Sequence, residues 1–170
     1  MESEEGDRWE AAQEGAERLR EGDVEGAIDE LERLVLDDPD NEYGYFFLGS
    51  AHFEQGNLDK AMKAFVVALE KAPMYVGAMV HLGHTLRLLG RYDQALRMGK
   101  QVLAHDKNDG DALYLMALTH YAIGDEAASK AYLERFLATG PEVEVAQEAQ
   151  GLLEILMGNA LPLEEPDDDD

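Results

Sequence analysis

Apolar and small side chains recur along this chain at helical spacing, in stretches closed by glycine or proline. The last such stretch places Val145, Ala149, Leu152, Leu153 and Leu156 on one face, with Glu144, Glu148 and Glu154 between them. Earlier stretches repeat one another in register every 34 residues. Gly15, Gly49, Gly83 and Ala117 form one small-residue ladder, and Ala27, Ala61, Ala95 and Ser129 form a second. Leu31, Phe65, Gly99 and Leu133 form a third, large except at Gly99. A fixed period of this length marks a stack of helical hairpins, each burying its apolar face against the next. Small residues on both helices of a pair let the two backbones approach closely. Gly22, Gly56, Gly90 and Gly124 keep the same interval and fall between the helices, where a left-handed backbone is needed. Pro39, Pro73 and Pro141 fall where helices end or begin. The spacing predicts helices near 8–21, 24–36, 42–55, 58–71, 76–89, 92–105, 110–123 and 126–138, and a ninth over 141–157.

These ladders resemble the tetratricopeptide repeat family, whose pattern runs aromatic or apolar residue, Leu-Gly, Gly, Ala, aromatic or apolar residue, Ala, Pro at set offsets. The resemblance covers residues 8–141 and implies an all-α, right-handed superhelix of antiparallel helix pairs. The repeats are expected at 8–41, 42–75, 76–109 and 110–141, followed by a capping helix at 141–157, as one elongated domain. A solenoid end calls for a polar outer surface, which the ninth helix is expected to provide. Residues 1–7, MESEEGD, and the tail 158–170, GNALPLEEPDDDD, lack a periodic apolar face and are expected to be disordered.

Charge changes the picture of partners. The net charge is −23, with 16 acids against four bases over residues 1–41 and ten acids against none over 142–170. The middle, 42–141, is nearly neutral, with 11 acids and ten bases, and Arg87, Arg91, Arg97, Lys100 and Lys107 make its third repeat slightly basic. Acidic ends repel phosphate backbones and anionic membranes, so neither nucleic acid nor membrane is an expected partner, whereas a basic protein is compatible. With no cysteine, disulfides and thiolate metal sites are excluded. No apolar run reaches the roughly 18 residues that a membrane span requires, and a cytoplasmic protein is expected.

The resemblance implies that the first helix of each pair lines a concave groove. Its positions carry Trp9 in the first repeat, and Tyr43, Phe46, Ser50 and Phe53 in the second. They carry Val80, His81, His84 and Arg87 in the third, and Tyr114, Leu118 and Tyr121 in the fourth. One branch of the family grips a C-terminal carboxylate with a fork of Lys, Asn and Arg. Here the corresponding places hold Ala12, Ala16, Phe47, Gly77 and His81, or one repeat on, Phe46, Ser50, His81, Asp111 and Leu115, so that clamp is absent. The groove is instead expected to bind an apolar peptide or helix of a partner, with Phe46, Phe53, Tyr114 and Tyr121 as anchors. His84 and Arg87 are expected to contact the partner's polar or acidic groups. The chain is accordingly expected to be an interaction adaptor or scaffold. The alternative is a dedicated cytoplasmic chaperone of a hydrophobic secreted client, similar to the three-repeat chaperones of type III secretion.

Other constellations add little. His81 and His84 lie three apart, a spacing able to share a metal, but no third ligand accompanies them, and no metal or cofactor is expected. His52 and His120 are expected between helices with one ring nitrogen bonded. Gly99 is expected to be covered by Met98 or another large neighbour, the alternative being a pocket. No nucleophile–histidine motif or phosphate loop occurs, so catalysis is not expected.

Overall fold

The computed structural model describes residues 4–159. Among them, nine helices and no strand are formed: α1 Glu4–Arg20, α2 Val24–Asp37, α3 Glu42–Glu54, α4 Leu58–Lys71, α5 Val76–Leu88, α6 Tyr92–His105, α7 Gly110–Ala122, α8 Glu126–Ala138 and α9 Val143–Leu156. Only α1 departs from its expected bounds by more than two residues. It begins at Glu4, which corrects the expectation of disorder over residues 4–7. Glu4, Glu5 and Asp7 occupy its first turn, where the positive end of the helix dipole favours acids. Gly158 and Asn159 close α9, through Gly158 N–H to Ile155 O (3.0 Å) and Asn159 N–H to Glu154 O (3.0 Å). The rest of the expected disordered segments, residues 1–3 and 160–170, lies outside the described residues.

The turn glycines behave as their spacing requires: Gly22, Gly56, Gly90 and Gly124 have φ of 83°, 76°, 75° and 81°. After three of them the next residue caps the following helix. Asp23, Asn57 and Asp125 each accept a hydrogen bond from the backbone N–H three residues on. In the other loops Asn41 and Asp109 do the same for α3 and α7. Tyr75 holds the equivalent place before α5 and makes no side-chain cap.

By internal contacts the chain falls into two compact units, one up to Met98 and one from Gly99 on. The interior expected from the repeats therefore takes the form of separate clusters. In the first unit, Ala27, Leu31, Leu48 and Ala64 make one cluster and Ala61, Phe65, Leu82, Leu86 and Ala95 another. In the second, Leu113, Ala117 and Leu133 pack with Phe136, Ala149 and Leu153. The small-residue ladder does what was inferred: a Cβ on Gly15 would lie 2.5 Å from Leu31, and one on Gly49 2.7 Å from the Phe65 ring. Asn41, fully buried, ties α1 to α3 by donating from Nδ2 to the Arg8 carbonyl (3.1 Å) while its Oδ1 caps Gly44.

Gly99 is covered, and the covering residue is Met116 of α7, whose Sδ lies 2.6 Å from where a Cβ would stand. A thioether end is flexible and yields readily. Gly99→Ala is therefore expected to be stability-neutral or to gain up to about 1 kcal/mol of helix propensity. Gly99→Leu is expected to lose about 1–3 kcal/mol by overpacking, and Met116→Ala in the same chain to recover part of it, which urea unfolding of the double-mutant cycle would measure. The outer side of α9 is not wholly polar: Ala149 and Leu153 enter the core, but Val143 is 74% exposed and Met157 51%.

Candidate partner-binding faces

The anticipated binding residues distribute over both units. In the first, Trp9 is exposed, Tyr43, Phe46, Ser50, Phe53, His84 and Arg87 are half-buried, and His81 is exposed. Val80, expected on the face, is only 5% exposed and offers a partner nothing. In the second unit Tyr121 is exposed, and Tyr114 and Leu118 are half-buried.

Trp9, Tyr43, Phe46, Phe47, Phe65 and Tyr75 of the first unit form one continuous ring cluster. Trp9 meets Tyr43 edge-on at 5.1 Å and Phe47 at 5.8 Å, and Tyr43 meets Tyr75 at 5.6 Å. Phe46 contacts Tyr75 at 4.9 Å, Phe47 at 5.1 Å, His81 at 5.1 Å and Phe65 at 6.0 Å. Phe46 and Phe53 also pack on the Ala61–Phe65 cluster, and Tyr114 stacks on Phe136 at 4.8 Å against the core of the second unit. Of the four expected anchors, three are thus partly committed to the interior and Tyr121 alone stands well clear of it. The helical stripe set the side on which these rings lie, while their depth is set by residues from other helices.

The polar members bond to their own helix or are largely buried. The Ser50 hydroxyl donates to the Phe46 carbonyl one turn back (3.1 Å). His81 donates from Nδ1 to the Gly77 carbonyl (2.9 Å), which fixes its tautomer because a carbonyl only accepts. Burial, helped by Arg87 and His81, pushes the His84 pKa down to about 4. That ring is neutral near pH 7, so it has no charge to offer an acidic group and works only as a hydrogen-bonding surface.

The two histidines expected between helices fare differently. His52 is buried, its Nδ1 has no hydrogen-bond partner in the protein, and its pKa is lowered by burial and then by Lys60. His120 stacks on Tyr132 at 5.5 Å, with Nδ1 3.4 Å from the Asp125 carboxylate. No group of three or more metal-ligating side chains occurs among the described residues, and none of their helices is long and apolar enough to cross a membrane.

Sequence reasoning missed Met74, Tyr75 and Val76. With Pro73, Ala72, Tyr43, Glu5 and Glu42 they line a depression of about 400 Å³. The signal was present in the period: Asn41, Tyr75 and Asp109 stand 34 apart, and an aromatic replaces a capping side chain in the middle copy.

Such helix pairs, joined by left-handed glycines and exposing rings on their first helices, define a helical-repeat interaction protein. Models described as "Tetratricopeptide repeat" match residues 13–75 and again 86–153. The chain belongs to the tetratricopeptide repeat family, whose domains act as protein–protein interaction scaffolds. It is 29% identical over 80 residues to Tetratricopeptide repeat protein 8 of Caenorhabditis elegans, a match covering 47% of this chain and 16% of that protein. Among solved structures it is similar to MamA of Desulfovibrio magneticus (TM-score 0.73, 20% identity, covering 91% of this chain and 88% of that one). It is also similar to a thermophilic TPR protein of Thermus thermophilus (TM-score 0.74, 19% identity, covering 89% and 84%). These likenesses share the fold.

Proposed function

We propose that the chain is an adaptor that binds an apolar segment of a partner protein on the ring-bearing face of its first unit, with Trp9, Tyr43, Phe46 and His81 in contact. In the second unit Tyr121, with the edges of Tyr114 and Leu118, offers a further apolar surface. The observation that carries this reading is Trp9: it is 42% exposed and packed edge-on against Tyr43, so a rigid indole is held at the surface. Rigid aromatic side chains lose little entropy on binding and commonly dominate interface energies, each worth about 2 kcal/mol or more when buried.

The test is a selection of random displayed peptides on the intact protein. Enriched peptides should be rich in apolar residues, and Trp9→Ser and Tyr43→Ser should each weaken the best of them about tenfold or more. Thermal unfolding of both variants controls for folding. Peptides that bind both variants as tightly as the native chain would refute the assignment.

A further inference from the structure

The depression between α3 and the loop before α5 combines an apolar floor with an acidic rim, which the hollow along α1 does not. Its walls are apolar: Met74 is 53% exposed, Val76 36%, and the Tyr43 and Tyr75 rings meet at 5.6 Å beside them. Its rim is acidic. Glu5 accepts a hydrogen bond from the Tyr43 hydroxyl (3.2 Å), and the Oε2 of Glu42 makes no hydrogen bond but lies 3.5 Å from Arg8 Nη1. The Nε of Arg8 lies 3.9 Å from Asp38. Glu5 and Glu42 are the charged residues that line the apolar floor, and Arg8, shared with Asp38, offsets Glu42 in part. By contrast, the hollow along α1 is walled by Glu10, Glu14, Glu17 and Glu21 with Gln13 and Arg18 and has no apolar floor. It can attract a cation but has nothing to hold the stem beneath it.

Tyr75 marks the place as built for contact. Its position caps the next helix in the neighbouring copies, through Asn41 and Asp109, and here the cap hydrogen bond is missing. A lost cap costs about 1 kcal/mol, and rules of local stability are most often broken at functional sites. What replaces the cap is a ring facing the depression. Burial first, then Tyr43 and Glu42, holds the Tyr75 phenol above the ordinary tyrosine range.

We infer that this depression is a subsite for an arginine of the bound partner, whose aliphatic stem lies on Met74 and Val76 and whose guanidinium stacks on the tyrosines and reaches Glu5 and Glu42. Guanidinium is suited to both demands, since it is weakly hydrated, stacks on aromatic faces and forks to carboxylates. The subsite rests on the adaptor reading above and gives it a preferred partner chemistry: an apolar segment carrying a basic residue.

The probe is acetyl-Leu-Arg-Leu-amide at millimolar concentration, followed by methyl and ring NMR signals of the full chain, with Met74 assigned by Met74→Leu. Saturable shifts are expected at Met74 and Tyr75. The same peptide with citrulline, which keeps the shape and loses the charge, should bind about tenfold more weakly, equivalent to about 1.4 kcal/mol. Glu5→Gln, at an exposed position, should weaken the arginine peptide and leave the citrulline peptide unchanged. Tyr75→Asn should lose the shifts at Met74, while the restored cap, worth about 1 kcal/mol, offsets part of the ring packing lost against Phe46 and Tyr43. Equal affinity for the two peptides, or shifts spread equally along Glu10, Glu14, Glu17 and Glu21, would overturn the subsite. In that event, displayed peptides that still depend on Trp9 and Tyr43 would leave the adaptor reading standing.

Discussion

Phe65→Ala is expected to remove about 3–5 kcal/mol of stability, the largest effect of any single substitution proposed for this chain. The ring is fully buried and packs with Ala61, Leu82, Leu86 and Ala95. Its neighbour on α3 is Gly49, which has no side chain to swing into the space; the gap where a Cβ would stand is only 2.7 Å from the ring. Deletion therefore leaves a cavity whose walls at Gly49, Ala61 and Ala95 carry no side chain able to swing into it, so it refills only in part. Phe65→Leu retains most of the volume and should cost less than half as much. Both changes should appear as lower urea midpoints with unchanged slope. They are best read by the fluorescence of Trp9, the chain's one tryptophan, which lies in the same unit. A loss below about 1 kcal/mol for Phe65→Ala would mean that the α3–α4 interior is not close-packed.

Acidification should destabilise the fold well before the ordinary carboxylates titrate. His84 has its pKa held at about 4 in the folded chain, by burial first and then by Arg87 and His81, against about 6.5 when unfolded. Between those values the unfolded chain binds a proton that the folded chain refuses. The stabilising contribution is thus complete above about pH 6.5 and is lost as the pH falls toward 4. A shift of this size corresponds to about 3 kcal/mol at its limit, and partial exposure of the ring reduces it to roughly 1–2 kcal/mol. His52, lowered by burial, acts in the same sense. His84→Gln cannot take up the proton, so its melting temperature should fall less steeply than the native chain's between pH 6.5 and 4. Parallel curves would show that His84 titrates alike in both states.

Most helix bounds were legible because signals coincide at the turns: Gly22, Gly56 and Gly124 are left-handed and each is followed by an Asx cap, and Asn41 and Asp109 cap α3 and α7. The start of α1 was not, since Glu4, Glu5 and Asp7 read equally as a solvated charge run and as a favourable first turn. The face was legible as a stripe and illegible in depth. Phe46 is half-buried because Tyr75, Phe65 and His81 arrive from other elements, and nothing local to α3 encodes that. Val80 and the neutral state of His84 escaped for the same reason, because burial is a property of neighbours distant in sequence. Met74 and Val76 lie in a loop and at a helix start, outside the first-helix positions that the repeat pattern marks. The missing cap at Tyr75 was the one sequence clue to that hollow.

The most direct measurement is the emission of Trp9 in the intact chain as a peptide selected on it is added. The indole is 42% exposed in the free protein, so docking on the aromatic face of the first unit should shift its emission to the blue and protect it from acrylamide. Tyr43→Ser should abolish both changes. Saturating binding that leaves the emission and quenching of Trp9 untouched would contradict the assignment of that face.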